Sequence, residues 1–386
     1  MRLEPPASGD PRDVLRALRA AVLGAGPAVA LGGSDLPAEV PPGTAAVVTT
    51  SGSTGVPKSV VISRNALIGS AYATAARIGE GAWLLAVPAT YVAGVQVIVR
   101  ALLADREPAV VAGPFRPEPF AAAALGMASH VDGARVPTYT SLVPAQLQRL
   151  LDAADHDPTV AQALRSFEAI LIGGQALAPA VRERAGRVGA RVVRTYGSSE
   201  TSGGCVYDGV PLDGVGVEIV EGEVRLSGPM LADGYLGDPE RTASVFPVDA
   251  DARRWYRTGD GGEIVDGVLH VTGRLDNVIV SGGVNVSLDR VEAAVRGIPG
   301  LESAVVVPIP DADWGQGSAV VVPGIAASAA RGLLATVREV VGGVVGAPAR
   351  PARVVAVDAL PVLRSGKPDR ATLRRVVGEG REDPRD

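Results

Sequence analysis

Lysine is rare in this chain, and each of its lysines stands in a segment that contains glycine. Lys58 and Lys367 are two among 37 basic residues, so arginine fills the other cationic positions. A lysine ammonium is a compact charge on a flexible stem, whereas a guanidinium is a planar fork, so the two lysines favour a role that arginine cannot take. That role would be the binding of phosphate oxygens. The alternative is that both are ordinary loop residues.

The segment that ends at Lys58 predicts an anion-binding loop between two strands. It reads Thr50-Ser51-Gly52-Ser53-Thr54-Gly55-Val56-Pro57-Lys58, and β-prone apolar residues lie on both sides at 45–48 and 60–62. The glycines allow backbone N–H groups to approach an anion closely, and Lys58 adds a point charge. Pro57 stands where a Walker A loop requires glycine, so the loop is of another kind. A flexible turn is the alternative for such a composition.

With four later motifs, this loop resembles the phosphate-binding loop of the adenylate-forming superfamily, which contains acyl-CoA synthetases, luciferases and the adenylation domains of peptide synthetases. The later motifs follow in the family's order at residues 196–201, 256–260, 273–276 and 361–367. The resemblance implies an α/β fold with a large N-terminal domain, residues 1–275, that binds ATP and the acid and is shortened at its front. Residues 276–386 would form a small mobile α+β domain.

The same resemblance implies the roles of the residues in these motifs. Lys367 would be the catalytic lysine, Glu200 the catalytic ligand of Mg²⁺, Asp260 the acceptor of the ribose hydroxyls, and Asp276 the hinge. The other ATP-binding residues that it implies are Thr50, Ser51, Gly52, Ser53, Thr54, Gly55, Lys58, Gly174, Tyr196, Gly197, Ser199 and Arg274.

The implied chemistry needs a cation that moves. Joining a carboxylate to ATP accumulates negative charge at the α-phosphorus, which Lys367 would neutralise. Thioester formation with CoA then needs that lysine to leave, and rotation about Asp276 would remove it. Ser281, Gly282 and Gly283 would then face the pantetheine channel. The alternative for these three residues is a plain turn between a strand and a helix.

A closer resemblance suggests which carboxylic acid is activated. Residues 140–147 and 195–212 resemble the short actinobacterial o-succinylbenzoate–CoA ligases of menaquinone biosynthesis, which share the short segment before the phosphate-binding loop. The acid pocket that we expect contains Tyr91, Gly94, Arg149 and Gly197. Thr90 and Tyr91 depart from the family, because many relatives carry one or two histidines there. Another carboxylic acid is therefore an alternative substrate. A non-catalytic nucleotide-binding protein on the same fold is a separate alternative.

Composition narrows the protein class. The net charge of −5 argues against a general binder of nucleic acid or of a membrane surface. The apolar segment 92–103 contains polar residues and is too short to cross a bilayer, so we expect neither a membrane span nor a signal peptide. Cys205 is the single cysteine and cannot form an internal disulfide. A cytoplasmic enzyme is therefore expected, and a homodimer is one option for its assembly.

Apolar periodicity predicts the elements that position the motifs. Short apolar runs at 83–87, 109–112 and 169–172 indicate strands of a parallel or mixed sheet, separated by helices. Alternating residues after Gly214 indicate a smaller β-subdomain. Further predictions are an amphipathic helix at 11–23, a Gly/Pro-rich connection up to about 44, helices at 288–296 and from about 331, strands at 303–307 and 319–322, and a disordered tail at 378–386.

Overall fold

The computed structural model describes residues 1–34, 36–51, 57–111, 113–127, 130–131, 133–363 and 367–379. Within these residues the helices are α1 (Pro11–Val22), α2 (Arg64–Ile78), α3 (Val92–Leu103), α4 (Pro117–Leu125), α5 (Pro144–Ala154), α6 (Pro158–Ser166), α7 (Pro179–Val188), α8 (Pro239–Val245), α9 (Leu288–Arg296), α10 (Ala327–Val344) and α11 (Arg370–Glu379). Two short 3₁₀ helices cover Ser199–Thr201 and Ala347–Ala349.

The strands of the first half are β1 (Leu3–Glu4), β2 (Ala28–Leu31), β3 (Thr44–Ser51), β4 (Pro57–Ser63), β5 (Ala82–Leu85), β6 (Ala109–Val110), β7 (His130–Val131), β8 (Ala134–Arg135), β9 (Thr138–Leu142), β10 (Ala169–Ile172) and β11 (Val192–Ser198). Those of the second half are β12 (Gly203–Tyr207), β13 (Val210–Pro211), β14 (Gly216–Val220), β15 (Glu223–Ser227), β16 (Gly234–Tyr235), β17 (Trp255–Val265), β18 (Val268–Arg274), β19 (Val278–Ser281), β20 (Val284–Ser287), β21 (Val305–Asp311), β22 (Gly315–Pro323) and β23 (Arg353–Val357).

Two sheets enclose a layer of three helices. A five-stranded sheet runs in the order β1-β2-β3-β4-β16, and a seven-stranded sheet runs in the order β13-β12-β11-β10-β9-β5-β6. Helices α1, α2 and α3 pack between them, and their buried side chains share one apolar core with both sheets. Helices α4 to α7 contribute to a second core on the far face of the larger sheet. In that sheet β6, β5, β9, β10 and β11 are parallel and β12 and β13 are antiparallel, as a mixed sheet requires.

Local sequence explains the first helix. Asp10 caps α1 by accepting a hydrogen bond from the backbone N–H of Arg12, and Pro11 occupies the first turn, where its missing N–H costs nothing. The apolar residues recur three or four positions apart, so one stripe faces the core. The helix predicted at 11–23 is confirmed within one residue. Helix α3 is buried on nearly all sides for another reason: it lies in the middle layer, where Val95 to Ala101 are all buried, Gln96 and Arg100 included.

The second half of the chain forms two smaller sheets. The β-subdomain predicted after Gly214 is a four-stranded antiparallel sheet in the order β14-β15-β17-β18. Beyond it, β20-β19-β22-β21 form a sheet whose strand β22 also pairs in parallel with β23. The apolar cores of this last sheet contain residues from Ile279 onward, whereas those before it end at Leu269. A domain boundary at Asp276 stays a prediction.

Several predicted elements have different limits in the structure. Strand β2 lies inside the stretch predicted to be a connection, where Ala28, Val29 and Leu31 are buried between β1 and β3. The disordered tail predicted at 378–386 is wrong at Gly378 and Glu379, which belong to α11 because Leu373 and Val377 pack on the sheet. The rest of that tail lies outside the described residues. Of the helices described here, not one is long and apolar enough to cross a bilayer.

Candidate active site

The predicted site residues meet at one edge of the large sheet. Gly174 follows the carboxyl end of β10, and Tyr196 and Gly197 lie near the end of β11, whose last residue leads into the 3₁₀ helix Ser199–Thr201. In α/β sheets, ligands bind outside the carboxyl ends of the parallel strands. Ser199 and Glu200 are buried at this edge.

The strands around the phosphate-binding loop form an antiparallel hairpin. Thr50 on β3 pairs with Lys58 on β4, which confirms the predicted order of strand, loop and strand. The predicted residues Gly52, Ser53, Thr54 and Gly55, and the side chain of Ser51, lie outside the part of the chain that the structure describes.

Thr50 shows where this hairpin suits a ligand. Its Oγ1 is buried, and no partner for it exists among the described residues. A buried hydroxyl without a partner costs about 1–3 kcal/mol. A phosphate oxygen at the end of β3 would supply the missing acceptor, so this position fits the nucleotide that the motif implies.

Glu200 is held by two donors at the same oxygen. Lys58 Nζ forms an ion pair with Glu200 Oε1, and the Tyr235 hydroxyl donates to that oxygen at 2.8 Å. Burial alone would raise the pKa of Glu200, but Lys58 and Tyr235 hold it below its ordinary value. Lys58 also lies 5.3 Å from the centre of the Tyr235 ring. Sequence analysis missed Tyr235, because its signal is only a tyrosine after glycine on the short strand β16.

The arrangement can hold one magnesium ion through ATP. The described residues contain no group of three or more acidic, histidine or cysteine side chains that could hold a metal ion by themselves. Mg²⁺ in nucleotide sites uses one or two carboxylates together with phosphate oxygens and waters. Glu200 is ionised, buried and close to the phosphate-binding hairpin, so it fits that pattern.

Asp260 forms hydrogen bonds with three neighbours. The Tyr196 hydroxyl donates to Oδ2 at 2.6 Å, Arg274 donates to Oδ1 at 3.3 Å, and the Asp260 backbone N–H donates to Thr258 Oγ1 at 3.0 Å. Burial raises the pKa of Asp260 above its ordinary value despite these donors. The aspartate and tyrosine are 64 positions apart in the chain. Their contact supports the predicted nucleotide site.

Arg274 joins this aspartate to the predicted hinge. Its Nε and NH2 atoms donate to both carboxylate oxygens of Asp276 at 3.0 Å each. Its backbone N–H donates at 2.6 Å to Asp289 on α9, and Asn277 donates to the same carboxylate at 2.7 Å. The hinge segment is therefore anchored on both sides in this conformation.

Lys367 reaches the same site from the C-terminal sheet. Its Cε lies 3.6 Å from the place where a side chain on Gly174 would begin. Gly174 has a φ of +80°, a conformation that favours glycine. Lys367 as a whole is exposed, but the groups around its ammonium exclude part of the water. This desolvation lowers its pKa, which the charges of Asp260 and Glu200 only partly offset.

Gly197 is required by a close approach of two strands. A Cβ at this position would lie 2.1 Å from the carbonyl oxygen of Gly203 on β12. Larger residues are therefore excluded without a backbone shift. A Cβ on Gly203 would in turn lie 3.0 Å from the Gln96 side chain on α3. The motif at residues 196–201 thus contacts the middle helix layer through Gly203.

The predicted acid-pocket residues on α3 and α5 have different settings. Tyr91 immediately precedes α3, and Gly94 lies in its first turn, where a Cβ would be 2.2 Å from the Pro88 carbonyl oxygen. Arg149 is exposed on α5, and the ion pairs among the described residues do not include it. Its role in the pocket stays a prediction.

Arg100 is a cation that sequence analysis missed. It is buried on α3, and none of the described carboxylates pairs with it. Its NH2 atom donates to the Tyr207 hydroxyl at 3.3 Å, its Nε atom has no partner, and its guanidinium lies 5.1 Å from the centre of the Trp83 ring. Burial lowers the pKa of Arg100. Its signal in the sequence is one arginine within an otherwise mostly apolar helix.

The predicted CoA loop is the turn between β19 and β20. Gly282 and Gly283 have φ values of +57° and +81°, which favour glycine, and the turn joins two strands instead of the expected strand and helix. Ser281 is buried, and the exposed Trp314 ring lies against Gly282. The predicted contact with pantetheine stays a prediction.

Comparisons with known proteins identify the family. The AMP-binding enzyme family matches residues 17–236, and the AMP-binding enzyme C-terminal domain matches residues 290–367. A probable 2-succinylbenzoate–CoA ligase of Mycobacterium tuberculosis is 40% identical over 351 residues, covering 87% of this chain and 85% of that protein. The 2-succinylbenzoate–CoA ligase of Escherichia coli K12 is 32% identical over 278 residues, covering 69% and 56%.

A solved structure shows the same fold. ATP-bound MatB from Rhodopseudomonas palustris superimposes with a TM-score of 0.72 at 23% identity, covering 97% of this chain and 79% of that one. The predictions of the adenylate-forming fold and of an AMP-forming acid–CoA ligase are thereby confirmed. The chain belongs to the AMP-binding enzyme family, the adenylate-forming enzymes that its five motifs predict.

Proposed function

We propose that this protein is an o-succinylbenzoate–CoA ligase of menaquinone biosynthesis. It would join the acid to ATP with release of pyrophosphate, and then transfer the acyl group from AMP to the thiol of CoA. The observation that carries the choice of acid is Arg100, a buried cation without a carboxylate partner among the described residues. The two 2-succinylbenzoate–CoA ligases among the relatives support the same acid.

The argument starts from the two carboxylates of o-succinylbenzoate. One becomes the acyl-adenylate, so the other must be bound by a cation or by water. A guanidinium binds a carboxylate through two parallel hydrogen bonds. Arg100 has one donor atom without a partner, and its burial makes an anionic partner favourable.

A series of packed residues connects Arg100 with the motif at residues 196–201. Gly197 touches Gly203, Gly203 touches Gln96, and Arg100 follows Gln96 by one helical turn. Gln96 also has a buried oxygen, Oε1, without a partner. We propose that an acid whose activated end lies near Gly197 extends along α3 toward Arg100. Arg149 would be the alternative cation, as predicted from sequence.

The proposed adenylation step uses the residues around Glu200. Mg²⁺ would neutralise phosphate oxygens of ATP and be held by Glu200, while Lys58 would exchange its pairing with Glu200 for the terminal phosphates. Asp260 would accept the ribose hydroxyls. Lys367 would donate to the oxygens at the α-phosphorus, where charge develops as the carboxylate attacks.

The proposed thioester step needs a different arrangement of the two domains. Lys367 would leave the site by rotation about Asp276, and the loop of Ser281, Gly282 and Gly283 would line the path of the thiol. We also propose a cytoplasmic location, which suits an enzyme whose one cysteine, Cys205, is buried and unpaired. A homodimer stays a prediction.

The experiment is a comparison of acids in both half-reactions. Pyrophosphate release and CoA-thioester formation are measured with ATP and Mg²⁺ for o-succinylbenzoate, benzoate, salicylate and medium-chain fatty acids. We expect o-succinylbenzoate to give the highest kcat/KM in both steps. Preference for another acid would be consistent with a ligase but would overturn the choice of o-succinylbenzoate as the substrate. Absence of turnover with every acid would favour a non-catalytic nucleotide-binding protein.

A further inference from the structure

We propose that Arg370 is a positioning residue for Lys367, and that the buried Glu292 fixes it in place. The inference rests on the proposed role of Lys367 in adenylation. Lys367 has to cross from the C-terminal sheet into a site built by the N-terminal sheets. Its placement therefore depends on how rigidly its own segment is attached.

A short hairpin presents Lys367. Val362 and Pro368 form a β-bridge, the Leu363 N–H donates to the Lys367 carbonyl oxygen at 2.8 Å, and the Asp369 N–H donates to the Pro361 carbonyl oxygen at 2.8 Å. Residues 364–366 lie outside the described part. The second arm of the hairpin runs directly into α11, whose first residue is Arg370. Movement of Arg370 would therefore move the lysine three positions earlier.

Arg370 is clamped by two acceptors on different elements. Its NH1 atom donates to the Val306 carbonyl oxygen on β21 at 2.6 Å, and its NH2 atom donates to Glu292 Oε2 on α9 at 2.7 Å. The guanidinium fork thus fixes the start of α11 in two directions. A lysine would keep the positive charge but lack the rigid planar fork that spans both acceptors.

Glu292 is a buried carboxylate whose oxygens bind three partners. It is 6% exposed, pairs with Arg296 at 2.9 Å and with Arg370 at 2.7 Å, and accepts a 2.9 Å hydrogen bond from the Val306 N–H. Burying such a cluster costs desolvation free energy, so an ion pair is a poor substitute for apolar packing. Its better attested use is to fix one arrangement of the chain.

Helix α11 has other attachments that do not depend on this clamp. Leu373 and Val377 are buried against the sheet, and Arg353 on β23 donates to the Val377 carbonyl oxygen at 2.8 Å. Arg353 holds the far end of the helix. It is therefore a matched control, an arginine that donates to a carbonyl oxygen at the opposite end from Lys367.

The test compares Arg370→Met with Arg353→Met in the two half-reactions. We expect Arg370→Met to slow adenylation about 10-fold to 100-fold, because small misplacement of a catalytic group costs that much. Thioester formation from supplied acyl-adenylate should change less than 2-fold, and Arg353→Met should leave both steps near wild type. Arg370→Lys, which keeps the charge that Glu292 needs, should show the same split.

A double variant separates positioning from structure. In a Lys367→Ala background, Arg370→Met should have no further effect on adenylation, since it acts through the lysine. Equal loss of both half-reactions, a persisting effect in that background, or failure of both Arg370 variants to fold would overturn the proposal. If Lys367→Ala itself leaves adenylation intact, the proposed role of the lysine fails instead. Normal adenylation in Arg370→Met with a deficient Lys367→Ala would overturn the positioning role alone.

Discussion

The Tyr235 hydroxyl donates a 2.8 Å hydrogen bond to the same Glu200 oxygen that pairs with Lys58. The three groups come from β4, from the 3₁₀ helix after β11 and from β16. We propose that Lys58 exchanges this pairing for the phosphates when ATP binds, so Tyr235 is the donor that continues to hold the carboxylate proposed for Mg²⁺. Tyr235 thus orients the carboxylate that is proposed to bind Mg²⁺.

Tyr235→Phe should therefore weaken the use of Mg²⁺. It removes the hydroxyl but keeps the ring beside Lys58, and one lost hydrogen bond of about 1 kcal/mol corresponds to about a 5-fold change. We expect the Mg²⁺ concentration for half-maximal adenylation to rise by about that factor. Mn²⁺ binding in the presence of ATP, followed by electron paramagnetic resonance, gives a readout apart from turnover.

Tyr139→Phe is the control for this change. Tyr139 is also buried, but its hydroxyl donates to the Ile78 carbonyl oxygen at 2.7 Å instead of a carboxylate. It should lose stability without a change in metal dependence. An unaltered Mg²⁺ requirement in Tyr235→Phe would show that the hydroxyl does not orient Glu200.

Lys367→Ala should separate the two half-reactions. Removing one preorganised charge at a reacting oxygen costs about 10²-fold to 10³-fold in rate. We expect adenylation to fall by that factor and thioester formation from supplied acyl-adenylate to remain comparatively intact. Exposed Arg374 on α11 is the control, and Arg374→Ala should alter neither step. Equal loss in both steps would contradict the role of Lys367.

The alkaline limb of the pH–rate profile of adenylation should report the deprotonation of Lys367. Desolvation lowers the pKa of Lys367, so its ammonium loses the proton at a lower pH than an ordinary lysine. The charged form is the active one, and kcat/KM should therefore be full below this pKa and fall as the pH rises through it. Lys367→Arg should be slower and lack this limb. A limb that survives in that variant belongs to another group.

Asp276→Pro should impair thioester formation more than adenylation, because proline fixes φ at the predicted pivot. The substitution also removes the carboxylate that accepts both bonds from Arg274. Asp276→Ala removes the same carboxylate but leaves the backbone free. The difference between the two variants therefore isolates the effect of backbone stiffness. A ratio of the two half-reactions that is the same in Pro and Ala variants would place the pivot elsewhere.

Arg100→Met should change selectivity without lowering stability. The buried cation has no carboxylate partner in the described structure, so replacing it with an apolar side chain of similar length removes a desolvation cost. We expect an equal or higher Tm, and a KM for o-succinylbenzoate that rises at least 10-fold while the low activity with benzoate is unchanged. Arg77→Met on α2, an exposed arginine bonded to the Pro211 carbonyl oxygen, is the control. Equal effects on the KM of both acids would show that Arg100 does not bind the second carboxylate.

The secondary structure was predictable where a local signal existed. The spacing of apolar residues predicted α1 and α9, and the run at 169–172 matched β10. Strand β2 was missed because four residues between glycine-rich turns carry little periodicity, and its pairing with β1 and β3 decides its state. The end of α11 was missed because its buried side chains need a sheet that the local sequence does not show.

The sequence by itself determined the family and predicted the residues of the nucleotide site, because phosphate, ribose and magnesium need fixed side-chain types within short motifs. Only the tertiary structure decided which side chains support them. Tyr235 meets Glu200 across 35 positions, Arg370 meets Glu292 across 78, and Arg100 meets Tyr207 across 107. Such contacts leave no local pattern, since they arise from the packing of separate sheets and helices. The absence of a described carboxylate beside Arg100 is likewise visible only after folding.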